Sequence, residues 1–324
     1  MLRIGDITLK DQALLAPMAG ITDLPFRRLA LRYGAALATS EMVASQDLVT
    51  GRAGTASKAE LDLAVGIPSV QIAGREARWM AEAARIAEAR GARIIDINMG
   101  CPAKKVTSGY SGSALMRDPD HALSLIEAVV GAVKVPVTLK TRLGWDHDCL
   151  NAPELARRAE DAGVKAVTIH GRTRQQFYKG RADWRAVRAV RNAISVPLIV
   201  NGDILSDHDA RTALLASGAD AVMIGRGAQG APWLPGQVGA ELSGRAFWPP
   251  SGAALTDLIV EHYEAMLSFY GVDLAVRVAR KHLGWYLAKM EDGAALRPRI
   301  LRETDPATVI RTLRGLAPIE ALAA

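Results

Sequence analysis

The chain alternates between short apolar runs and longer stretches in which apolar residues recur every three or four positions. Continuous apolar runs are typical of strands that are buried on both faces of a parallel sheet. Eight such runs occupy residues 13–18, 36–42, 68–74, 93–100, 135–142, 166–173, 196–203 and 220–227.

The segments between these runs have a helical period, and several end in glycine. EARGARIID, EDAGVKAVTI and LASGADAVMI repeat one design, in which a helix ends at a glycine and a short loop leads into the next strand. Eight β-α units between residue 10 and about residue 240 predict an α/β fold, the (β/α)8 TIM barrel. Alternation alone leaves a doubly wound open sheet possible, because it does not show whether the sheet closes.

The pattern changes after the eighth unit, where residues 243–252 carry the paired prolines and glycines of a linker. We therefore predict a barrel domain over residues 1–242 and a small all-helical domain over residues 243–324. One helix of the second domain has an apolar face of period 3.6 that consists of Val276, Ala279, Leu283, Tyr286, Leu287 and Met290.

Polar residues stand at most of the carboxyl ends of the predicted strands, where a barrel of this kind carries its chemistry. Such side chains are costly to bury without partners. One alone would be compatible with a satisfied core residue, but their recurrence favours a site. The residues at the strand ends, in chain order, are Met18 and Ala19, Glu41, Gln71, Asn98, Lys140 and Arg142, His170 and Arg172, Asn201, Gly202 and Asp203, and Gly225 and Arg226.

The last two strand ends predict a phosphate site. Glycines at 201–203 and 225–227 allow backbone N–H groups to approach an anion, and Arg226 can add charge-assisted hydrogen bonds. GRGAQG at 225–230 also matches the dinucleotide pattern G-x-G-x-x-G, but it follows the last strand instead of opening the first βαβ unit. The barrel phosphate site is the better interpretation.

Three further residues, Gln71, Lys140 and His170, are expected to point into the same barrel mouth. A lysine can stabilise the negative charge of a reduced flavin, and a glutamine amide can bond the polar atoms of its ring. With one phosphate site and no Rossmann pattern, these residues predict FMN as the cofactor.

Composition narrows the class of protein. The sequence has no apolar run long enough for a membrane span and no signal-peptide pattern at its start. Its two cysteines are far apart, and His147 with its neighbouring aspartates has no second cluster nearby, so neither a disulfide framework nor a metal site is predicted. We expect a cytoplasmic monomer. The net charge of +6 fits either a nucleic-acid partner or a basic solvated surface.

Several motifs carry a resemblance to a known family. The chain resembles the tRNA-dihydrouridine synthases over essentially its whole length and is most similar to their B-type bacterial branch. NMGCP and HGRT are the most specific matches, whereas Thr141 is a position where many relatives differ. The matching stretches are 16–27, 40–42, 70–74, 97–106, 112–115, 135–145, 168–174, 201–204, 223–233 and 277–287.

The resemblance implies the reduction of specific uridines in the tRNA D-loop to 5,6-dihydrouridine, with NADPH as reductant and a hydride passing from flavin N5 to uracil C6. It implies that Cys101 gives the proton to C5 and that Asn98 helps to hold the uracil. Other candidate substrate residues, chosen by position or charge, are Glu41, Arg142, Lys104, Lys105, Arg172, Arg277, Arg280 and Lys281. The implied FMN-binding residues are Pro17, Met18, Ala19, Gln71, Lys140, His170, Asn201, Gly202, Asp203, Gly225 and Arg226.

Alternatives remain at this point. Without the resemblance, Cys101 could be a small buried hydrophobe, as many free cysteines are, and Cys149 in its polar loop has no assigned role. The whole chain could instead be an FMN-dependent dehydrogenase of a free pyrimidine, of the dihydroorotate type, or a non-catalytic RNA-binding protein.

Overall fold

Eight parallel strands form the centre of the fold in the computed structural model, which describes residues 1–290 and 293–315. They are preceded by two short strands, β1 Leu2–Ile4 and β2 Ile7–Leu9. Each of the eight lies within or overlaps an apolar run that the sequence indicated, so the eight strand predictions are confirmed. They are β3 Ala13–Leu15, β4 Thr39–Ala44, β5 Ser69–Ala73, β6 Ile94–Asn98, β7 Val137–Arg142, β8 Ala166–His170, β9 Leu198–Asn201 and β10 Ala221–Ile224.

The sheet closes into a barrel. Its hydrogen-bonded order is β3-β10-β9-β8-β7-β6-β5-β4, and every pair in it is parallel. The two ends of this order then meet, because Leu15 of β3 bridges to Ala38 and its N–H donates to the Leu37 carbonyl at 2.8 Å. The closed ring confirms the TIM barrel and excludes the doubly wound sheet, whose edges stay open.

Helices cover the outside of this ring and continue beyond it. Capping side chains start several of them, as where Asp23 Oδ1 accepts from the Phe26 N–H at 3.0 Å. Short 3-10 helices span Gly112–Arg117 and Arg226–Ala228. The α-helices are α1 Leu24–Arg32, α2 Ser45–Val49, α3 Thr55–Lys58, α4 Ala77–Ala89, α5 Lys104–Thr107, α6 Pro119–Val130, α7 Ala152–Asp161, α8 Arg188–Arg191, α9 Asp207–Ser217, α10 Leu234–Leu242, α11 Gly252–Tyr270, α12 Val272–Leu287, α13 Gly293–Ile300 and α14 Pro306–Arg314.

The apolar core has one part outside the strand ring and one part inside it. Alternate strand residues such as Ile95 pack toward the helices, whereas Ile94 and Ile199 belong to the cluster inside the ring. A hairpin of β1 and β2, which the sequence analysis did not predict, covers the amino-terminal end of the barrel. The buried side chains that the hairpin adds to the inner cluster are Leu2, Ile4, Ile7 and Leu9.

The carboxyl-terminal helices α11 and α12 pack against each other, and α11 packs on α1 of the barrel. Their junction is aromatic: the rings of His262 and His282 lie 4.9 Å apart, and Phe26 lies 5.7 Å and 5.6 Å from them. Tyr270 also donates to Asp23 Oδ2 at 3.0 Å. The predicted apolar face of α12 is buried up to Leu287, which confirms its orientation.

Both junction histidines are fully enclosed by protein. Burial lowers the pKa of His262 to about 3 and holds the pKa of His282 well below its ordinary value. The two rings are therefore neutral at neutral pH. None of the helices in the ranges described above is long and apolar enough to cross a membrane.

We expect these two histidines to make the protein less stable in mild acid. Their folded pKa values lie below the ordinary value of about 6.5, so the unfolded chain binds protons first as the pH falls. The free energy of unfolding should drop by at most about 1.4 kcal/mol per pH unit for each histidine below about pH 6.5. Asp23 and Asp96 act in the opposite direction, since burial raises the pKa of each to about 6, whereas buried His170, whose pKa is lowered, adds to the effect of the two junction histidines. Thermal unfolding followed by circular dichroism measures the balance.

Two variants isolate the cause. His282→Leu removes one buried titrating ring and should flatten the dependence of the melting temperature on pH. His208→Leu changes an exposed histidine on α9 and should leave that dependence as it is. An unchanged acid sensitivity in His282→Leu would show that the junction is not its source.

Candidate active site

Polar side chains face the barrel interior at its carboxyl-terminal end. On β6, Ile94, Asp96 and Asn98 share the inward face, because side chains alternate along a strand. The interior therefore changes from apolar to polar along the barrel axis. The other buried polar side chains that β5 and β7–β9 contribute at this end are Gln71, Thr138, Lys140, Arg142, Thr168, His170 and Asn201.

A chain of amide hydrogen bonds links three of these residues to the turn after β6. Gln71 Nε2 donates to Asp96 Oδ2 at 2.6 Å, and Asn98 Nδ2 donates to Gln71 Oε1 at 2.8 Å. Asn98 Oδ1 in turn accepts from the backbone N–H groups of Gly100 at 3.2 Å and Cys101 at 3.0 Å. Thr138 Oγ1 donates to the second oxygen of Asp96 at 2.6 Å. Each buried polar group thus has a partner, as burial requires.

Lys140 carries the one ammonium group on the inward face of β7. Its Nζ donates to Asn201 Oδ1 at 3.2 Å, and Asn201 Nδ2 donates to the Met223 carbonyl at 2.7 Å. Burial lowers the pKa of Lys140, and the Arg142 guanidinium lowers it further, while the Asp96 carboxylate opposes both. Burial likewise raises the pKa of Asp96. The two residues form a buried pair of opposite charge in which each partly offsets the cost of the other.

Arg142 fastens the mouth of the barrel. Its side chain is buried, with Nε donating to the Gly100 carbonyl at 2.7 Å and Nη1 donating to the carbonyls of Thr173 at 3.0 Å and Phe177 at 2.9 Å. Burial lowers the pKa of Arg142 to about 10, so it stays charged near neutral pH. The guanidinium therefore ties the turn after β6 to the long loop after β8.

The turn after β6 places Cys101 at the carboxyl-terminal end of the barrel, beside the polar side chains described above. The Cys101 carbonyl accepts from the N–H of Ser113 at 3.1 Å and from its Oγ at 2.9 Å. Gly112 has φ +60°, and a Cβ on it would lie 2.8 Å from the Cys101 oxygen, so only glycine allows this close approach. Cys101 is a free, half-buried thiol on a backbone that is held from both sides.

A second charged group lies where β9 and β10 end. Asp203, at φ +54°, accepts from Arg172 Nη2 at 2.5 Å, from Arg226 Nη2 at 3.2 Å and from the Ala182 N–H at 2.8 Å. Burial acts to raise the pKa of Asp203, but these partners outweigh it and lower the value. Half of the Arg226 side chain remains exposed, beside Gly225.

His170 lies next to this group at the end of β8. Its pKa is held well below the ordinary value, first by burial and then by the nearby cations Arg142 and Lys140. Its Nε2 is 3.3 Å from Arg172 Nη1, which fits a neutral ring whose Nε2 accepts a hydrogen bond. A Cβ on Gly202 would lie 2.7 Å from the His170 ring, so the residue after β9 must be small.

The loop after β3 completes the rim beside the end of β10. Glu41 of β4, itself buried, accepts from the Gly20 N–H at 2.5 Å and so fixes the stretch that carries Pro17, Met18 and Ala19. The Met18 sulfur is 3.7 Å from the position of a Cβ on Gly225, which brings the loops after β3 and β10 together. Glu41 supports a loop here and faces the same side of the barrel as the other strand-end residues.

The basic residues that were considered for substrate contact occupy different environments. Lys104 and Lys105 are exposed on α5, directly after the Cys101 turn, and Arg277 is exposed on α12. Arg280 and Lys281 are half-buried, with Lys281 Nζ 3.5 Å from the position of a Cβ on Gly20 in the barrel mouth. Arg172 is only 1% exposed, because its guanidinium holds Asp203 and the loop after β8.

Two site residues were missing from the sequence analysis. Asp96 was not singled out because it stands within an apolar run, although a lone carboxylate in such a run indicates a partnered interior position. Tyr178 lies on the loop after β8, with the guanidiniums of Arg142 and Arg226 5.5 Å and 5.1 Å from its ring. Its loop position left no period to detect. Residues 1–290 and 293–315 contain no group of three or more side chains that could hold a metal ion.

Solved structures show where this architecture recurs. Morphinone reductase in complex with tetrahydroNAD matches with a TM-score of 0.54 and 16% identity, over 78% of this chain and 92% of its own. An old yellow enzyme homologue from Zymomonas mobilis matches with a TM-score of 0.55 and 16% identity, over 77% of this chain and 93% of its own. At these identities the likeness supports the barrel fold and nothing finer.

Sequence relatives are much nearer. A probable tRNA-dihydrouridine synthase of Rhodobacter capsulatus is 60% identical over 96% of both chains. The tRNA-dihydrouridine synthase B of Vibrio cholerae is 47% identical over 91% of this chain and 92% of its own. The family model of dihydrouridine synthase matches residues 14–320. The chain therefore belongs to the dihydrouridine synthase family, within which it resembles the B-type members.

Proposed function

We propose that this protein reduces uridine in the D-loop of tRNA to 5,6-dihydrouridine, with bound FMN and with NADPH as the reductant. The observation that carries the proposal is the half-buried Cys101 thiol, held at the same end of the barrel as the buried side chains of Lys140, Asn98 and Arg142. Family membership favours this reaction over the dehydrogenation of a free pyrimidine. The nicotinamide analogue bound by the structurally similar morphinone reductase is compatible with a nicotinamide reductant.

The donors on the barrel rim fit FMN. Lys140 gives one hydrogen bond within the described part of the chain, which leaves two ammonium hydrogens for a ligand. Arg226 is half exposed beside Gly225 and can add charge-assisted bonds to a phosphate. We assign the isoalloxazine polar edge to Lys140 and Gln71 and the phosphate to the ends of β9 and β10.

The reaction then divides between cofactor and protein. The chemistry that FMN supplies when bound is hydride transfer to C6 of the uracil. Cys101 holds a proton on Sγ and gives it to C5 of the base, and its half-exposed position allows solvent to restore that proton. The fixed backbone of the Cys101 turn keeps Sγ in one place, which raises the fraction of encounters with productive geometry.

Uracil recognition is proposed for polar groups beside the thiol. Asn98 Nδ2 has one hydrogen beyond the one given to Gln71, and it can bond a uracil carbonyl. Arg142 and His170 enclose the same space, with Tyr178 covering it from the loop after β8. Glu41 acts through the loop after β3, which it holds by the Gly20 N–H. A base in folded tRNA must leave its stack to enter this cavity.

We further propose that the chain has two functional parts, a barrel over residues 1–242 and a helical tRNA-binding part over residues 243–324. Exposed Lys104 and Lys105 follow the Cys101 turn, and Arg277 is exposed on α12. Arg280 and Lys281 lie on the same helix, facing the barrel. These cations are the proposed contacts to RNA phosphates, whereas Arg172 acts by holding Asp203.

Cys101→Ala should abolish most turnover while binding persists. Loss of a general acid costs about 100-fold or more in rate, whereas the FMN and tRNA contacts proposed here do not depend on the thiol. Dihydrouridine formed in tRNA, measured by nucleoside mass spectrometry, gives the rate, and gel shift gives the affinity. Cys149→Ala is the matched control and should behave as wild type. Full activity of Cys101→Ala would refute the acid role.

Arg226→Ala should weaken FMN binding by about tenfold or more, because it removes a charge-assisted bond and leaves Asp203 facing the phosphate. Riboflavin, which lacks the phosphate, should bind wild type and variant alike. Quenching of flavin fluorescence on titration into apoprotein measures both affinities. Arg211→Ala, an exposed change on α9, is the control. Equal losses for the two flavins would place the phosphate elsewhere.

Lys104→Ala combined with Lys105→Ala should make tRNA binding less dependent on salt. Each phosphate contact contributes a little under one unit to the slope of log K against log salt, so the slope should shrink by about 1 to 2. Binding measured by fluorescence anisotropy between low and moderate salt gives the slope. Lys134→Ala with Lys165→Ala, two exposed lysines at the opposite end of the barrel, should leave it unchanged. If both double variants gave the wild-type slope, α5 would not contact RNA.

A further inference from the structure

Asp96 lies below the proposed reaction site and is buried in the barrel interior. It is 5% exposed, and its two oxygens accept from Gln71 Nε2 and Thr138 Oγ1. Burying a carboxylate is costly, and an apolar residue of similar volume would often stabilise a barrel interior equally well. The Lys140 ammonium offsets part of this cost, but a charge pair alone does not account for the two hydrogen bonds that Asp96 accepts, so a further role is sought in the groups that it holds.

The carboxylate decides which way each amide in the chain points. A carboxylate can only accept, so the Gln71 side chain must present its NH2 group downward and its oxygen upward. That oxygen can only accept, so Asn98 must present its NH2 group to Gln71. The Asn98 oxygen then faces the N–H groups of Gly100 and Cys101. Reversing either amide alone would bring two donors or two acceptors together at its contacts on both sides.

We propose that Asp96 is a positioning residue for the Cys101 turn, which it acts on through the fixed orientations of Gln71 and Asn98. The proposal deepens the role of Cys101 given above, and it rests on the proposed function only for the use made of the thiol. The chain crosses β5 and β6 and ends on two backbone N–H groups of the turn. Asp96 thereby sets the direction of a whole row of buried hydrogen bonds, which a neutral residue without an acceptor could not do.

Thiol alkylation tests this arrangement without reference to turnover. Full-length protein as purified is treated with iodoacetamide, and the modification rate of each cysteine is followed by peptide mass spectrometry. Cys149, half-buried on a different loop, serves as the internal control within every sample. Loosening of the turn should raise the Cys101 rate alone, whereas general loss of structure should raise both rates.

Asp96→Leu removes the acceptor and should raise the Cys101 rate about fivefold, the shift in an opening equilibrium that loss of one buried hydrogen bond produces. Gln71→Met breaks the same row of hydrogen bonds at the next residue and should raise the Cys101 rate by a similar factor. The double variant should have a Cys101 rate close to that of either single variant. Asp96→Asn should behave as wild type, since its oxygen can accept from Gln71 while its NH2 donates to Thr138 Oγ1. Rescue by this neutral isostere separates amide direction from charge.

The control variant is Thr168→Val, which removes a buried polar group on the same inward face outside this row. It should leave the Cys101 rate unchanged. A wild-type Cys101 rate in folded Asp96→Leu or in Gln71→Met, or an equal rise at Cys101 and Cys149 in both variants, would overturn the proposal. Gln71→Met decides alone if Asp96→Leu does not fold. Failure of dihydrouridine synthesis in the wild type would instead refute the proposed function and leave the alkylation result standing.

Discussion

The whole site depends on one constraint: polar and charged side chains inside a closed barrel must find partners within it. They have little access to water, and a sheet without edges offers no free backbone groups to bond them. The interior of β6 and β7 meets this constraint by bonding side chain to side chain between strands, from Asp96 to Gln71 on neighbouring β5 and from Lys140 to Asn201 on β9, two strands away. Register fixes which partners are available, since Gln71 pairs with Asp96 and Asn98 with Lys140 in the ladder.

The same constraint organises the loops above the strands. Arg142 and Arg172 place buried guanidiniums under backbone carbonyls of the turn after β6 and of the long loop after β8. A guanidinium offers five donors in a fixed plane, so one side chain can hold several strands of loop at once. These loops have no β-ladder hydrogen bonds, and the two guanidiniums attach them to the rigid barrel. The rim can then carry an accessible thiol and an exposed Arg226 without losing its shape.

The sequence was sufficient for the parts of the fold that depend on local pattern. Continuous apolar runs located all eight barrel strands, and glycine stops located the helix ends that precede several of them. Closure was not predictable from pattern, because it rests on the contact of Leu15 with Ala38. The β1–β2 hairpin was missed although its burial alternates with period two, since each strand has only three residues.

For the site residues, too, the sequence predicted local features but not contacts between distant parts of the chain. Strand-end positions were visible because a polar residue interrupts an apolar run, and the structure buries Gln71, Asn98, Lys140 and His170 at the same end of the barrel. The sequence did not show which side chains these residues would bond. Arg172 was considered for RNA contact, yet its ion pair is with Asp203, 31 residues further along the chain, and that contact buries it. Charge in a sequence shows that an ion is present, but only three-dimensional neighbours show whether it is free to meet a ligand.

The helical part adds a physical link between substrate binding and the barrel. Phe26, His262 and His282 form a neutral aromatic junction, and Tyr270 bonds the same Asp23 that caps α1. The loop before that cap is the one that carries Gly20, which Glu41 holds and near which the Lys281 ammonium lies. A load placed on α12 would therefore be transmitted to the loop after β3 through packed rings and buried hydrogen bonds. Since such groups are closely packed and tolerate little displacement, the helices and the barrel mouth should move as one unit when the substrate binds.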